Sequence, residues 1–153
     1  MILIDIGNTN IVFAVSSNNL LKKIIRINSN QNKNKLKTLI NNIIINYSAI
    51  KRLDNKKLAI ISSVVPSLNS LISKILKKNL IKAFIINSKD IMPFIKIKYN
   101  LNEIGADRLA NSIAVISNKI TNSIVIDFGT ATTFEVIKNN IFLGGIIFPG
   151  INL

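Results

Sequence analysis

The stretch Ser123-Ile-Val-Ile-Asp127-Phe-Gly129-Thr130-Ala-Thr132-Thr133-Phe-Glu-Val-Ile137 decides the fold that this sequence predicts. An apolar, β-type run ends on a carboxylate, turns at a glycine and continues into a second run that carries hydroxyls. A near copy opens the chain, Met1-Ile-Leu-Ile-Asp5-Ile-Gly7-Asn8-Thr9-Asn10-Ile-Val-Phe-Ala-Val15. Apolar β-type runs on both sides of a glycine turn are typical of hairpins. Two such copies in register predict two related halves.

Each hairpin combines the groups that a phosphate-binding loop needs. Glycine lets backbone N–H groups approach a ligand that a Cβ would block, and successive N–H groups form an anion-binding concavity. A carboxylate at a strand end cannot bind phosphate itself, so its predicted work is to hold a cation, or a water on that cation, beside the phosphates. All six glycines, at positions 7, 105, 129, 144, 145 and 150, lie in the hairpins or in two further short motifs. Two structural hairpins without a ligand are the alternative.

The composition limits the possible chemistry. A chain of 153 residues suffices for one ordinary domain with a sizeable core and is short for two. It contains no Cys and no His, which excludes disulfides, thiolate metal sites, cysteine nucleophiles and a Ser-His-Asp relay. Any general base must therefore be a carboxylate, a lysine or a tyrosine.

The net charge of +13 is compatible with a nucleic-acid partner. However, 17 of the 20 basic residues are Lys and they are spread along the chain, and Ile, Asn and Lys together make up 73 of the 153 residues. AT-rich codons encode these three residues, so mutational bias explains the basicity equally well. We therefore favour a solvated lysine surface and expect no nucleic-acid partner.

The hydrophobic fraction of 48% raises the question of a membrane location. The longest uncharged run, Leu58 to Ser73, contains Pro66 and Asn69, and no segment supplies the roughly 20 apolar residues that a bilayer span requires. The N-terminus lacks a basic lead and reaches Asp5 before an apolar core can form, unlike a signal peptide. We expect a cytoplasmic protein without membrane contact.

Hydrophobic periodicity predicts a meander of three strands followed by strands and helices in alternation. We expect strands at Ile2–Ile6, Ile11–Val15, Leu20–Ile27, Leu58–Val65 and Ile81–Ile86, with helices at Lys35–Tyr47 and after an N-cap at Ser67. Further along we expect an extended segment at Ile91–Tyr99, a helix from about Ala106, the second hairpin and a strand at Ile141–Phe148. This order predicts an α/β fold with a mixed sheet and flanking helices.

Four motifs in this order resemble type III pantothenate kinase: Asp5-Ile-Gly7-Asn8-Thr9, Gly105-Ala-Asp107-Arg108, Asp127-Phe-Gly129-Thr130-Ala-Thr132-Thr133, and Gly144-Gly145-x-x-x-Pro149-Gly150. The resemblance covers the chain from end to end. It implies the ribonuclease-H-like, actin-like ATPase fold of the acetate and sugar kinase, heat-shock chaperone and actin superfamily. Residues 1–118 would form a complete first half, and residues 119–153 the start of a second half.

The implied activity is transfer of the ATP γ-phosphoryl group to the terminal hydroxyl of pantothenate, the first step of coenzyme A biosynthesis. The resemblance implies ATP, Mg²⁺ and a monovalent cation, K⁺ or NH₄⁺, as cofactors. Asp127 matches the ligand of the monovalent cation, and Asp5 would contact Mg²⁺. The residues implied to contact ATP are Asp5, Ile6, Gly7, Asn8, Thr9, Asn10, Ile11, Val12 and Thr130.

The pantothenate site implied by the resemblance comprises Tyr99, Gly105, Ala106, Asp107 and Arg108, with Asp107 as the proton acceptor. Independently of the family, an ionised Asp107 is favoured at the start of a helix and beside a cation. A helix-capping Asp paired with Arg108 is the alternative, and Tyr99 could be an ordinary core aromatic. The resemblance places adenosine at Gly144 to Gly150, where a tight turn is the alternative.

The sequence departs from the family pattern at two places. Leu101 and a shortening by one residue replace a proline that usually stands between the tyrosine and the Gly-Ala-Asp-Arg motif. Family members also continue well beyond the position of Leu153, with a further pantothenate contact and much of the surface through which they dimerise. We therefore expect a homodimer if that C-terminal part is supplied. The alternative is a truncated or degenerate, non-catalytic relative that keeps its nucleotide-binding loops.

Overall fold

The computed structural model describes residues 1–17, 20–50 and 57–150. Contacts within the chain divide it into two compact units, Met1–Ile85 and Ile86–Leu153. These units reflect compactness, whereas the predicted boundary after residue 118 concerns duplicated halves and stays a prediction.

The first unit is a five-stranded mixed sheet with two helices. Its strands are β1 (Ile2–Ile6), β2 (Asn10–Ser17), β3 (Leu20–Asn28), β4 (Leu58–Ser63) and β5 (Lys82–Ile85). The sheet order is β3-β2-β1-β4-β5; β1 to β3 form an antiparallel meander, and β4 and β5 run parallel to β1. Helices α1 (Lys33–Ile50) and α2 (Pro66–Lys78) lie in the connections to the parallel strands. The predicted meander and the alternation that follows it are thus confirmed.

The core of this unit joins the central strands to the apolar stripes of both helices. Ile4 and Phe13 of the sheet, Tyr47 of α1 and Leu76 of α2 are almost fully buried in one cluster. The hydroxyl of Tyr47 donates a hydrogen bond to the carbonyl of Phe13 at 3.3 Å, which satisfies the polar end of a buried aromatic side chain. The helical spacing seen in the sequence therefore marks the buried faces correctly.

The start of α2 differs from the sequence prediction. Ser67 does not cap this helix: the N-cap is Val65, Pro66 occupies the first turn, and no side chain caps the helix. Proline suits this position because it has no N–H to leave unpaired and its φ angle is already helical. Ser63 instead accepts a hydrogen bond from the N–H of Val65 through its hydroxyl, at 3.2 Å.

The second unit contains a four-stranded sheet. Its helices are α3 (Ser88–Ile91) and α4 (Ala106–Ser117), and a 3₁₀ turn spans Leu101–Glu103. Its strands are β6 (Lys96–Ile97), β7 (Asn122–Phe128), β8 (Ala131–Lys138) and β9 (Ile141–Pro149). The sheet order is β6-β9-β8-β7, in which β7 to β9 form an antiparallel meander and β6 pairs parallel with β9. The predicted second hairpin and third run are confirmed, and Ile91, Ile104, Leu109 and Phe142 belong to the core of this unit.

The extended segment predicted for Ile91–Tyr99 is wrong over most of its length. Ile91 ends α3, a turn follows, and only Lys96–Ile97 is a strand. A capping box explains the helix: the Asn87 side chain accepts hydrogen bonds from the first-turn N–H groups, and the Asp90 side chain accepts one from the N–H of Asn87. The residues between Met1 and Gly150 that the structure describes include no helix long and apolar enough to span a membrane.

Candidate functional site

The turn of the first hairpin closes on itself and is braced from β3. The N–H of Gly7 donates to the carbonyl of Asn10 at 2.9 Å. Ser29, just after β3, donates from its N–H to the carbonyl of Thr9 at 2.8 Å and from its hydroxyl to the carbonyl of Gly7 at 2.7 Å. The sequence patterns did not predict that Ser29 supports this turn. No local motif could indicate it, because Ser29 is 22 residues from Gly7 in the chain. Asp5 stands exposed on β1, opposite Val12 of β2.

The turn of the second hairpin has the same internal bond. The N–H of Gly129 donates to the carbonyl of Ala131 at 3.0 Å. In both loops the glycine N–H closes its own turn. Neither Gly7 nor Gly129 has a φ angle in the left-handed region, whereas Gly144 does. Binding of phosphate by these loops stays a prediction.

Asp127, at the end of β7, contacts helix α4. Its exposed carboxylate accepts a hydrogen bond from the side-chain amide of Asn111 at 3.0 Å, between Oδ2 and Nδ2. Asn111 lies one helical turn after Asp107, so the two side chains share a face of α4. The helix that carries the predicted general base is therefore joined through Asn111 to the predicted cation ligand, although the two aspartates are 20 residues apart in the sequence. Asn111 is a further residue that the motifs did not indicate.

The Gly-Ala-Asp-Arg motif forms the start of α4, as predicted. Gly105 is the N-cap in an extended conformation, and Ala106 begins the helix. Asp107 is half-buried, and its Oδ1 accepts a hydrogen bond from the N–H of Arg108 at 2.8 Å. The carboxylate therefore lies in the helix's own first turn, where the partial positive charge of the N-terminus stabilises it.

The guanidinium of Arg108 turns to β8 and pairs with Glu135. Arg108 Nε lies 2.8 Å from Glu135 Oε1, and the two side chains are 6% and 0% exposed. The alternative in which Asp107 pairs with the Arg108 cation is thus wrong: the carboxylate of Asp107 accepts a hydrogen bond from the backbone N–H of Arg108. Glu135 was not singled out as a site residue. The sequence does contain a signal for Glu135, an acidic residue within a largely apolar strand. A carboxylate that is buried in such a strand requires a partner, and this marks the residue as a candidate for an ion pair.

Two glycines of β9 lie against residues of the predicted pantothenate site. A Cβ on Gly144, whose φ is +126°, would meet Cδ2 of Tyr99 at 2.8 Å, and a Cβ on Gly145 would meet Nη2 of Arg108 at 2.7 Å. Tyr99 also packs edge-on against Phe142, with ring centroids 6.4 Å apart. Tyr99 is therefore a surface aromatic resting on Gly144, with 40% of its area exposed. The adenosine role of Gly144 and Gly145 stays a prediction, and their contacts connect them to Tyr99 and Arg108.

Gly150 lies beside the turn of the second hairpin. A Cβ on Gly150 would collide with the carbonyl oxygens of Gly129 and Thr130. The end of the fourth motif thus packs directly on the second predicted phosphate loop. Of the predicted site residues, those from Asp5 to Val12 belong to the first unit, and the others belong to the second unit.

The acidic residues present can hold a cation only in company with other ligands. Within residues 1–17, 20–50 and 57–150, no three acidic side chains come together as a metal cluster. Asp5 and Asp127 each contribute one carboxylate at the end of a strand. Mg²⁺ bound to nucleotides commonly uses one or two protein carboxylates and takes its other ligands from phosphates and water. These donors fit a cation that enters together with ATP.

Comparison with solved structures supports the class of fold. The chain matches a protein described as a conserved Baf family transcriptional activator from Campylobacter jejuni at 24% identity with a TM-score of 0.57, covering 99% of this chain and 56% of that one. It also matches a protein described as an N-acetylglucosamine kinase from Porphyromonas gingivalis at 9% identity with a TM-score of 0.51, covering 95% and 47%. The mixed sheets, the paired Asp-Gly hairpins and these neighbours define an actin-like ATPase or sugar kinase fold, and the chain spans about half the length of these two neighbours.

Sequence comparison narrows this class to one family. The sequence profile described as type III pantothenate kinase matches residues 1–153. The type III pantothenate kinase of Pelagibacter ubique (strain HTCC1062) is 36% identical over 152 residues, which are 97% of this chain and 58% of that protein. The chain therefore belongs to the type III pantothenate kinase family. It spans less than two thirds of the length of this curated relative.

Proposed function

We propose that this chain provides the catalytic groups for ATP-dependent phosphorylation of pantothenate to 4'-phosphopantothenate, the first step of coenzyme A biosynthesis, in the cytoplasm. The observation that carries the proposal is the link between Asp107 and Asp127 through helix α4. Asn111, one turn after Asp107, donates a hydrogen bond to the carboxylate of Asp127. A general base on α4 and a cation-binding carboxylate on β7 that contacts this helix can position the hydroxyl and neutralise phosphate charge, the two contributions that dominate phosphoryl transfer.

In the proposed reaction Asp107 accepts the proton of the pantothenate hydroxyl as the hydroxyl oxygen bonds to the γ-phosphorus of ATP, while the bond from that phosphorus to the β,γ-bridging oxygen breaks and ADP leaves. Positioned general-base catalysis typically contributes about 10²–10⁴ in rate. Tyr99 and residues 105–107 bind pantothenate, and Arg108 belongs to the same site. The loop from Asp5 to Val12 is the proposed ATP-binding loop of the first unit, and Thr130 is the proposed ATP contact of the second unit. Mg²⁺ at Asp5 and K⁺ or NH₄⁺ at Asp127 would neutralise phosphate charge when ATP is bound.

A coupled assay of ADP release, with and without pantothenate, tests the proposal. We expect release that requires pantothenate and Mg²⁺ and that is faster in K⁺ or NH₄⁺ than in Na⁺. ADP release that does not depend on pantothenate would contradict the substrate. Preferred phosphorylation of acetate or a sugar would contradict it as well, and both results would leave the fold unaffected.

A second candidate is a non-catalytic member of the family that still binds nucleotide. It is favoured by the exposure of apolar side chains on β7 and β9, since Ile124 and Phe128 are each 65% exposed. In this case ATP would bind, and pantothenate would not be phosphorylated. A homodimer is the partner arrangement that we propose for the active enzyme.

A further inference from the structure

Arg108 and Glu135 form a buried ion pair inside the second unit. The Nε–Oε1 distance is 2.8 Å, and the side chains are almost completely shielded from solvent. It is the one ion pair found among residues 1–17, 20–50 and 57–150. The pair joins the first turn of α4 to the middle of β8.

The pair is poorly suited to a purely stabilising role. Arg108 Nη2 and Glu135 Oε2 are buried without a hydrogen-bond partner, and so are the hydroxyls of Ser123 and Thr133. The strand register places Ser123, Thr133 and Glu135 on the sheet face that α4 covers. A buried, half-satisfied ion pair is often no more stable than well-packed apolar residues of the same volume. Stability alone therefore does not explain why charges occupy this place.

The position of Arg108 also argues against direct contact with a ligand. Its side chain is buried, and Nη2 fills the space over Gly145, where a Cβ would come within 2.7 Å. Its backbone N–H, in contrast, donates to Asp107 Oδ1 at 2.8 Å. Arg108 therefore connects the carboxylate of Asp107, through its backbone, to Glu135 on β8, through its side chain. Two residues before Glu135 on the same strand, Thr133 pairs with Asp127 of β7.

We infer that Arg108 and Glu135 are positioning residues: the buried pair fixes the first turn of α4 on β8 and so holds the carboxylate of Asp107 at its working place beside Asp127. The inference rests on the proposed function for the role of Asp107. Gly145 is part of the arrangement because a side chain there would displace the guanidinium. Arg108 accordingly acts through Asp107, and its guanidinium does not bind pantothenate.

The decisive variant is Arg108→Met/Glu135→Leu, which replaces the ion pair with apolar residues of similar size. We expect it to unfold at nearly the wild-type temperature, because no unpaired charge remains buried. We expect kcat for pantothenate phosphorylation to fall 10–100-fold with KM changed less than about threefold, since a small misplacement of a catalytic group has an effect of this order. Ile137→Val, a packing change on the same strand, is the matched control and should retain kcat. The single variant Glu135→Gln leaves the buried Arg108 cation without a carboxylate partner. We expect it to lower the unfolding temperature, and only its stability is measured.

Hydrogen exchange provides a readout that does not depend on activity. In the double variant the backbone N–H at position 108 should exchange at least tenfold faster than in the wild type, while amides near Ser117 at the other end of α4 keep their rates. Unchanged exchange at Arg108, or an unchanged kcat, would overturn the inference. A raised KM with unchanged kcat would also overturn it and would make Arg108 a substrate ligand. If the wild type does not phosphorylate pantothenate, the proposed function fails, and hydrogen exchange still decides whether the pair positions Asp107.

Discussion

At the scale of single residues, the chemistry depends on contacts that join distant parts of the second unit. Asn111 and Glu135 belong to none of the four motifs, yet Asn111 joins α4 to Asp127 and Glu135 joins β8 to Arg108. Each is a polar side chain that meets a charged site residue. Polar side chains in such places require partners, so they are good candidates for supporting a site.

Replacement of Asp107 by Asn tests the general base. Asn keeps the size of the side chain and can still accept the hydrogen bond in the first turn of α4, but it cannot accept a proton at neutral pH. We expect kcat to fall by about 10²–10⁴, with ATP binding retained. Steady-state kinetics and nucleotide titration measure this. Asp90→Asn, at the aspartate that caps the short helix α3, is the control and should have no such effect. Equal turnover of wild type and Asp107→Asn would contradict the role.

Replacement of Asp127 by Asn tests the cation site. The variant removes the negative charge but leaves a group that Asn111 can still hydrogen-bond. We expect the K⁺ concentration for half-maximal activity to rise by tenfold or more, because a neutral amide binds a cation more weakly than a carboxylate does. A titration of activity with KCl at constant ionic strength, balanced with a large organic cation, measures this. An unchanged K⁺ dependence would remove Asp127 from the site.

At the scale of elements, the glycines of the second unit have different tasks that the sequence does not distinguish. In β9 a Cβ on Gly145 would collide with the carbonyl oxygen of Phe134 in the neighbouring strand. In the second hairpin a Cβ on Gly129 would be 3.4 Å from the nearest atom, an ordinary contact. Close approach of two strands thus requires glycine at position 145, whereas the turn at 129 tolerates a methyl group.

This difference predicts that a glycine-to-alanine substitution destabilises the chain much more at position 145 than at position 129. Gly145→Ala should lower the free energy of unfolding by about 1–3 kcal/mol or more, because backbone and guanidinium must both move. Gly129→Ala should change it by less than about 1 kcal/mol, since neither space nor φ forbids the methyl group. Urea unfolding of both variants measures the difference. A greater loss of stability in Gly129→Ala would contradict the packing of β9 described here.

Helix α1 seals the core of the first unit with Tyr47, and this predicts a pH dependence. Desolvation by burial raises the pKa of Tyr47 above its ordinary value near 10. Below that value both the folded and the unfolded chain keep the proton, so stability does not change. Above it the unfolded chain loses the proton first, and the free energy of unfolding falls as pH rises.

Tyr47→Phe should reduce this alkaline loss of stability, because no proton is then released on unfolding at that position. Denaturant unfolding at pH 8 and at alkaline pH measures the change. Tyr99→Phe is the matched control, since Tyr99 is the other tyrosine of the chain and is 40% exposed. An alkaline slope that is as steep in Tyr47→Phe as in the wild type would show that other groups cause it.

At the scale of the whole molecule, one sheet face of the second unit carries exposed apolar side chains. We call it the apolar face; its members are Ile124, Ile126, Phe128, Val136, Ile146 and Phe148. The register places them opposite the face that α4 covers. Contiguous apolar patches of this kind mark interaction sites or lead to association. The apolar runs in the sequence predicted strands covered on both faces, and one of the faces has no such cover here.

We therefore expect the 153-residue chain to self-associate through the apolar face. Ile124→Thr/Ile126→Thr should weaken association without a large loss of stability, because these side chains are exposed before association. Sedimentation equilibrium over a wide range of concentration measures this. Leu20→Thr/Leu21→Thr removes exposed apolar groups from β3 of the first unit and is the control. A monomer at all concentrations, with strong hydrogen-exchange protection through β7 and β9, would contradict the prediction.

The sequence by itself determined the order of the elements and the family. The strands, helices and loops of both units follow local patterns. These patterns are apolar runs with a period of 2 or 3.6 residues, glycine turns and the four ordered motifs. The sequence did not determine the start of α2 at Val65 and Pro66, the short helix at Ser88–Ile91, or the hydrogen bonds of the Gly7 and Gly129 N–H groups within their own turns. Nor did it indicate Ser29, Asn111 and Glu135 or the direction of the Arg108 guanidinium. These depend on which residues meet across the sheet and under α4, and only tertiary packing decides which partner a buried polar group finds.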